Sequence, residues 1–366
     1  MGSAFLSTTD RTSVAALPWL PVVDAAPSGE QCEVVLEVLE GVLPFVLAEL
    51  DRTDGLSVVD QAPTEVRVLA DRPGAVLGMR TVVAAYLVVA LDVRRPRSML
   101  SPDRVRQLTD GVTLARRTAR PARFEAVRFS AAGSDSPEFV RLSDALTAAT
   151  GLPRDDEDGD LLLRFRRRDD RWEALVRLTP RPLSARPWRV ADHDAAVNAT
   201  IAAAIVEASG PTPDDTIVDL TCGSGTIVLE RLARGPAARV VADDIDGDAL
   251  DRVRANQRAA RFKGRVELRH DDLRNLPATG DRFDTLWANL PWGERSGSHS
   301  DNDVLYPDVL RTARAIATAD ARLLVLTQDL RRFDRALTID GAWRVTERWR
   351  FFQKGHRPGL FLLRPA

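Results

Sequence analysis

Four short apolar runs between Thr216 and Gly293 each end in glycine, a carboxylate or a polar turn, and their order leaves little choice of fold. Thr216-Ile217-Val218-Asp219-Leu220 reads as a buried strand, Thr221-Cys222-Gly223-Ser224-Gly225-Thr226 as a tight turn, and Ile227, Val228, Leu229 and Leu232 as the apolar face of a helix. Arg239 to Asp246 reads as a second strand, ending in acids about 25 residues after Asp219. Val266 to Leu273 gives a third, ending at Asp271-Asp272. A fourth, carrying Phe283, Leu286 and Trp287, closes at Asn289-Leu290-Pro291-Trp292-Gly293, about 70 residues after the glycine turn. Helical segments separate the runs, so the pattern predicts an α/β, doubly wound, mostly parallel Rossmann-like sheet with its polar strand ends on one edge. Two further strands within 345–363, about the turn Gly355-His356-Arg357-Pro358-Gly359, are expected as an antiparallel hairpin at its border.

Each strand end has an ordinary reading as a solvated cap or a core turn. A lone Gly-Ser-Gly is weak, a nicotinamide-type fingerprint would need glycine at Val228, and no phosphate-cradling Gly-Lys-Ser/Thr follows. The set taken in order is more specific. Glycines let a ligand approach the backbone, an acid after the second strand can accept both hydroxyls of a ribose, and an acid after the third can accept from an adenine amine. An Asn carboxamide with a neighbouring carbonyl can grip an exocyclic amine and aim its lone pair, while an aromatic face stacks on the base. The order and spacing point to S-adenosylmethionine as cofactor and to methyl transfer onto such an amine.

These residues resemble a known family. Asp219 to Thr226 with Glu230 one turn later, Asn289-Leu290-Pro291-Trp292-Gly293-Glu294-Arg295, Gly297-Ser298-His299, and Leu305-Tyr306-Pro307 are similar to the motifs of the THUMP-domain class I RNA guanine-N2 methyltransferases. Arg186-Pro187-Trp188-Arg189 and His193 to Asn198 resemble the stretch by which that family enters its catalytic domain. Trp292 stands where the family usually carries Tyr or Phe, and Leu220 where it often carries Pro. The resemblance implies cofactor contacts from Asp219, Thr221, Cys222, Gly223, Gly225, Asp244, Ile245, Asp272, Leu273 and Asn289. It implies a catalytic loop of Asn289, Leu290, Pro291 and Trp292. The expected reaction is methylation of guanosine N2 in tRNA, in the acceptor-stem region (position 6 type). Ribosomal RNA guanine-N2 methylation, adenine-N6 methylation of DNA or RNA, and a non-catalytic RNA-binding module remain as alternatives.

The 366 residues allow two or three domains. Residues 1–30 read as a leader, 31–100 as a ferredoxin-like domain, 101–185 as a THUMP-like RNA-binding domain and 186–366 as the class I methyltransferase domain. The family's THUMP domain grips the 3′ end of tRNA, which makes RNA the expected partner and leaves room for a protein activator. Val34 to Leu50 is expected to be mainly helical, and Val76 to Val89 an apolar helix or helix-strand pair. Two cysteines exclude a disulfide framework, four histidines lack metal-ligand spacing, and no run is apolar enough to span a membrane, so a cytoplasmic protein without metal is expected. Charge is unevenly spread on a net of −2: Met1 to Asp60 balances at −8, Leu161 to Val190 at +6 and Ala342 to Ala366 at +5. The segment 161–190 is therefore the expected phosphate-facing surface, unless its arginines pair with nearby acids. The acid run Asp155 to Asp160 is expected to point away from RNA.

Overall fold

The computed structural model describes residues 31–192, 196–290 and 302–366. The leader 1–30, His193, Asp194 and Ala195, and the catalytic-loop residues Pro291, Trp292 and Gly293 through His299 lie outside the described residues.

The first half folds as β1 (Cys32–Glu37), α1 (Leu43–Leu50), β2 (Leu56–Ala62), β3 (Glu65–Ala70), β4 (Ala84–Ala90), α2 (Pro102–Thr118), β5 (Val127–Ala131), α3 (Pro137–Thr150), β6 (Leu161–Arg168) and β7 (Arg171–Arg177). These strands form one sheet in the order β2-β3-β1-β4-β7-β6-β5. The antiparallel pairing of β4 with β7, from Tyr86 opposite Arg177 to Ala90 opposite Glu173, makes the regions 31–100 and 101–185 share a single sheet.

Two expectations are corrected here. Residues 32–37 are a strand rather than helix, because Val34 and Leu36 enter the main core while Val35 packs on the opposite face with Tyr86, Leu162 and Leu175. Glu33, Glu37 and Glu40 imitate helical spacing, but two of them are strand residues with cross-strand partners: Glu33 accepts from Arg67 at 2.7 Å and Glu37 from the Tyr86 hydroxyl at 2.9 Å. In the 76–89 stretch, a 3-10 turn at Pro73–Gly78 precedes β4.

The second correction concerns charge. Alternation along β6 sends Leu161, Leu163 and Phe165 to the core and Arg164, Arg166 and Arg168 to the other face. There Arg166 pairs with Glu65 and Glu173, Arg168 with Asp60, and Arg164 with Glu37. Arg67, 3% exposed, joins Glu33 to Glu173. The acidic and basic segments thus neutralise one another across the strands. Most of the arginines of 161–190 are spent on protein carboxylates or carbonyls, not held free for phosphate.

The second half runs α4 (Ala199–Ala208), β8 (Thr216–Asp219), α5 (Thr226–Arg234), β9 (Arg239–Asp244), α6 (Gly247–Ala259), β10 (Glu267–His270), β11 (Phe283–Asn289), α7 (Asn302–Ile316), β12 (Ala317–Thr327), α8 (Leu330–Asp340), β13 (Trp343–Arg350) and β14 (Gly359–Pro365). Its sheet has the order β10-β9-β8-β11-β12-β14-β13, with β14 antiparallel to both neighbours. The expected hairpin is therefore present, but its second strand is inserted against β12. The chain leaves β8 toward β9 and β10, then returns to β11 on the other side of β8. That reversal opens a crevice beyond the ends of β8 and β11, where doubly wound sheets bind ligands.

The halves are fastened together by charge and by rings. Glu230 on α5, with no exposed side-chain surface, accepts from Arg80 Nε at 2.6 Å and Arg186 Nε at 2.8 Å. Arg186 also donates to the Arg80 carbonyl at 2.6 Å. Phe45 of α1 packs on Trp349 and Phe351, with centroids 5.4 and 6.2 Å apart. Among the described residues, no helix is long and apolar enough to cross a membrane.

Candidate active site

The crevice is built from β8 outward. Parallel ladders hold β8 between β9 and β11, so its terminal Asp219 is delivered to the reversal point 1% exposed. One carboxylate oxygen accepts from the Thr221 amide at 3.3 Å, and the other is buried without a partner. Burial, less the Thr221 bond and aided by the charges of Asp244 and Asp243, pushes this carboxyl up to about 7. An isolated buried acid of this kind is matched by a cationic ligand group, which would supply the missing partner.

The turn that follows needs its glycines. Gly225 has φ of +79°, and a Cβ there would lie 2.9 Å from Val253. Its amide donates to the Cys222 carbonyl at 2.8 Å, and it caps α5. Cys222 is buried, and desolvation, followed by the nearby acids Asp219, Asp244 and Asp243, raises its thiol well above the ordinary range; it lines the turn and is no nucleophile. Asp244, at the end of β9, accepts from Gly223 N at 2.8 Å and from Asp246 N at 3.0 Å, tying the second strand end to the glycine turn. Ile245 beside it is 70% exposed, an apolar surface with no core to cover it. Asp272 caps the 3-10 turn Leu273–Thr279, and its carboxylate is bonded to the Arg274 backbone and guanidinium, which hold it below the ordinary carboxylate range. Leu273 is buried beneath.

Asn289 closes β11 on the far side of the crevice. Its backbone N–H donates to Thr221 Oγ1 at 3.1 Å, and the same hydroxyl donates to the Asn289 carbonyl at 3.3 Å. Its side-chain Oδ1 is buried without a partner. Leu290 is buried and its amide donates to the Leu326 carbonyl at 2.9 Å. The structure thus brings Asp219, the 221–225 turn, Asp244 and Asn289 to one edge, with Ile245, Asp272 and Leu273 along its β9 and β10 side.

Two residues were not singled out by sequence reasoning. Asp243, fully buried with both oxygens unpartnered, is pushed up to about 7 by burial and then by Asp271 and Asp244. Its position beside Asp244 made it look like part of a solvated acidic cap. Asn256 on α6 is also fully buried. It accepts from Val190 and Ala191 amides and donates to the Ala191 and Ser224 carbonyls, at 2.7–3.0 Å, pinning the entry segment over the glycine turn. A lone polar residue on an amphipathic helix gives no sequence signal of that role.

Over 233 residues the chain is 32% identical to a tRNA (guanine(6)-N2)-methyltransferase of Thermus thermophilus, an alignment covering 62% of this chain and 68% of that protein. The chain belongs to the tRNA guanine-N2 methyltransferase family. A UPF0020 family model, the RMKL-like methyltransferase domain, matches residues 186–358 of this family member. It is 30% identical over 164 residues to the human tRNA (guanine(6)-N(2))-methyltransferase THUMP3, spanning 41% of this chain and 32% of the human protein. The crystal structure of TrmN from Thermus thermophilus superposes with a TM-score of 0.70 at 24% identity, covering 91% of this chain and 99% of that one. A predicted N6-adenine-specific DNA methylase from Listeria monocytogenes superposes almost as well, with a TM-score of 0.65 at 18% identity, covering 91% and 96%. Fold alone therefore does not choose the base. The cofactor of this methyltransferase is S-adenosylmethionine, and the residues present fit it: an orphaned buried carboxylate oxygen at Asp219 and a second acid, Asp244, tied to the glycine turn beside it.

Proposed function

We propose that this chain methylates the exocyclic N2 amine of a guanosine in tRNA, in the acceptor-stem region, with position 6 the nucleotide suggested by the names of its relatives. The observation that carries the reading is Asn289: a buried, unpartnered carboxamide oxygen at the reversal point, locked through its backbone to the glycine turn. Bound S-adenosylmethionine supplies a methyl group on a sulfonium. Asp219 would accept from its methionine ammonium, Asp244 from its ribose hydroxyls and Asp272 from its adenine amine, and Ile245 and Leu273 would supply the apolar contacts. Asn289 Oδ1 and the Leu290 carbonyl accept the two N2–H bonds of guanine, which turns the nitrogen lone pair toward the methyl. Trp292, after Pro291, is assigned the stacking face on sequence grounds alone. The proton leaves after the new N–C bond forms, so no strong base is required in the slow step. A guanosine in a stem must first be flipped, at a cost of a few kcal/mol that stacking and phosphate contacts offset.

The RNA footprint is assigned to a different basic surface from the one expected. Arg116, Arg117, Arg120 and Arg123 line a cavity of about 880 Å³ at the end of α2, with Thr113, Pro121, Ala122 and Phe124. Among the described residues none of the four is ion-paired, in contrast to the arginines of β6. Arg116 donates to the Thr150 carbonyl at 3.2 Å, and guanidinium groups without a carboxylate partner around a concave surface suit a phosphate backbone.

The test is nucleoside mass spectrometry of tRNA and of ribosomal RNA, each incubated with S-adenosylmethionine and wild-type or Asn289→Ala protein. N2-methylguanosine in tRNA with wild type alone is the expected result. Methyladenosine, product in ribosomal RNA alone, or undiminished turnover by the variant would sink the reading.

A further inference from the structure

A second unpartnered acceptor lies at the neighbouring strand end. Parallel pairing sets Asn289 of β11 opposite Leu326 of β12, and Gln328 follows two residues later. Thr327, between them, turns to the opposite face, where its hydroxyl meets Tyr306 OH at 2.8 Å. Gln328 is the first residue past β12, and the strand's alternation carried one step on puts it on the Asn289 side of the sheet. Its amide nitrogen lies 3.0 Å from His356 Nδ1, a bond that it donates in the tautomer with the ring proton on Nε2, and its Oε1 is buried with no partner. His356 is itself fixed, its backbone exchanging two hydrogen bonds of 2.9 Å with Gln353, whose side chain accepts from Asn198 N at 3.4 Å. The oxygen is thus held in place by its own amide nitrogen, through an imidazole on a pinned turn.

Taking the proposed guanine-N2 reaction as its basis, we infer that Gln328 selects guanine over adenine by accepting the N1–H bond while Asn289 accepts from the exocyclic amine. On the base edge of guanine, N1–H and N2–H are adjacent donors, and two unpartnered oxygens at neighbouring strand ends match them. Adenine with its amine at Asn289 would turn the N1 lone pair toward Gln328 Oε1, two acceptors facing each other with no proton between them. A site built to bond a donor rejects the analogue lacking it, because its buried oxygen stays unpaired. Asn289 alone cannot make this distinction, since both bases carry an exocyclic amine.

The experiment compares kcat/KM on tRNA carrying guanosine or 2-aminopurine riboside at the methylated position. 2-Aminopurine keeps the 2-amine and presents a lone pair at N1. Wild type is expected to prefer guanosine by about 10-fold or more, the worth of one buried unpaired acceptor. The near-isosteric Gln328→Met is expected to lose most of that preference, chiefly through the guanosine rate, while Gln328→Glu, which keeps an acceptor, retains it. Equal losses on both substrates, or an unchanged ratio, would overturn the inference and leave the guanine-N2 function standing. Wild type that methylates neither substrate overturns both.

Discussion

Thr221 and Asn289 are joined by a reciprocal pair of hydrogen bonds through one hydroxyl, which accepts the Asn289 amide at 3.1 Å and donates to the Asn289 carbonyl at 3.3 Å. The pair ties the glycine turn to the end of β11. Any shift of one is felt by the other. Thr221→Val keeps the shape and removes both bonds, so kcat is expected to fall about 10-fold with KM for tRNA nearly unchanged, while Asn289→Ala loses roughly 10²-fold. Because the residues act as a unit, steady-state kinetics of the double variant should show less than the summed loss.

Asp219 makes apo stability depend on pH. Its carboxyl sits at about 7 when folded against an ordinary 3.8, chiefly through burial. A raised pKa means the folded protein binds this proton more tightly than the unfolded chain. The stabilisation is complete below the ordinary value and is lost as pH rises through 7. Asp219→Asn, which cannot ionise, should gain on wild type between pH 5 and pH 8.5 by about 1 kcal/mol or more, while binding S-adenosylmethionine more weakly. Urea unfolding at the two pH values, with a cofactor titration, checks both.

The Glu230 clamp behaves in the opposite sense. Burial alone would raise its carboxyl, but Arg186 and Arg80 outweigh burial and hold it below the ordinary value of 4.5. Its contribution is present above that value and fades as pH falls beneath it. Glu230→Ala leaves two guanidinium groups inside the protein, and a loss of about 3–5 kcal/mol is expected at pH 7 from denaturant unfolding. Acidification to pH 4 should narrow the gap from wild type.

Charge removal at Arg116, Arg120 and Arg123 tests the footprint. Each change to Ala should weaken tRNA binding and lower the slope of log affinity against log salt by about 1. Arg166→Ala, whose guanidinium is occupied by Glu65 and Glu173, should leave that slope unchanged. Filter binding at several salt concentrations distinguishes the two sets.

The catalytic half was legible because its signals are local: a glycine turn must follow its strand, and acids that close successive parallel strands land on one edge. Helix starts such as Ser136-Pro137, where the serine hydroxyl accepts from Phe139 N, carry the same kind of local signal. Long-range pairing was not. Whether Arg166 faces water or Glu65 depends on two strands 101 residues apart being brought together, and no window along the chain contains both. Strand β1 was hidden by glutamates at helical spacing whose partners lie on other strands. Asp243 and Gln328 gave no signal because an orphaned acceptor is defined by what surrounds it.

The Glu230 joint also bears on how such a molecule can be taken apart. Its two arginines come from positions 80 and 186, and the rings of Trp349 and Phe351 rest on Phe45. A cut after residue 185 strands the glutamate with half its neutralising charge and bares an aromatic face to water. The catalytic half is therefore not a portable cassette; transplanting it onto another RNA-recognition scaffold means carrying residues 40–80 along with it.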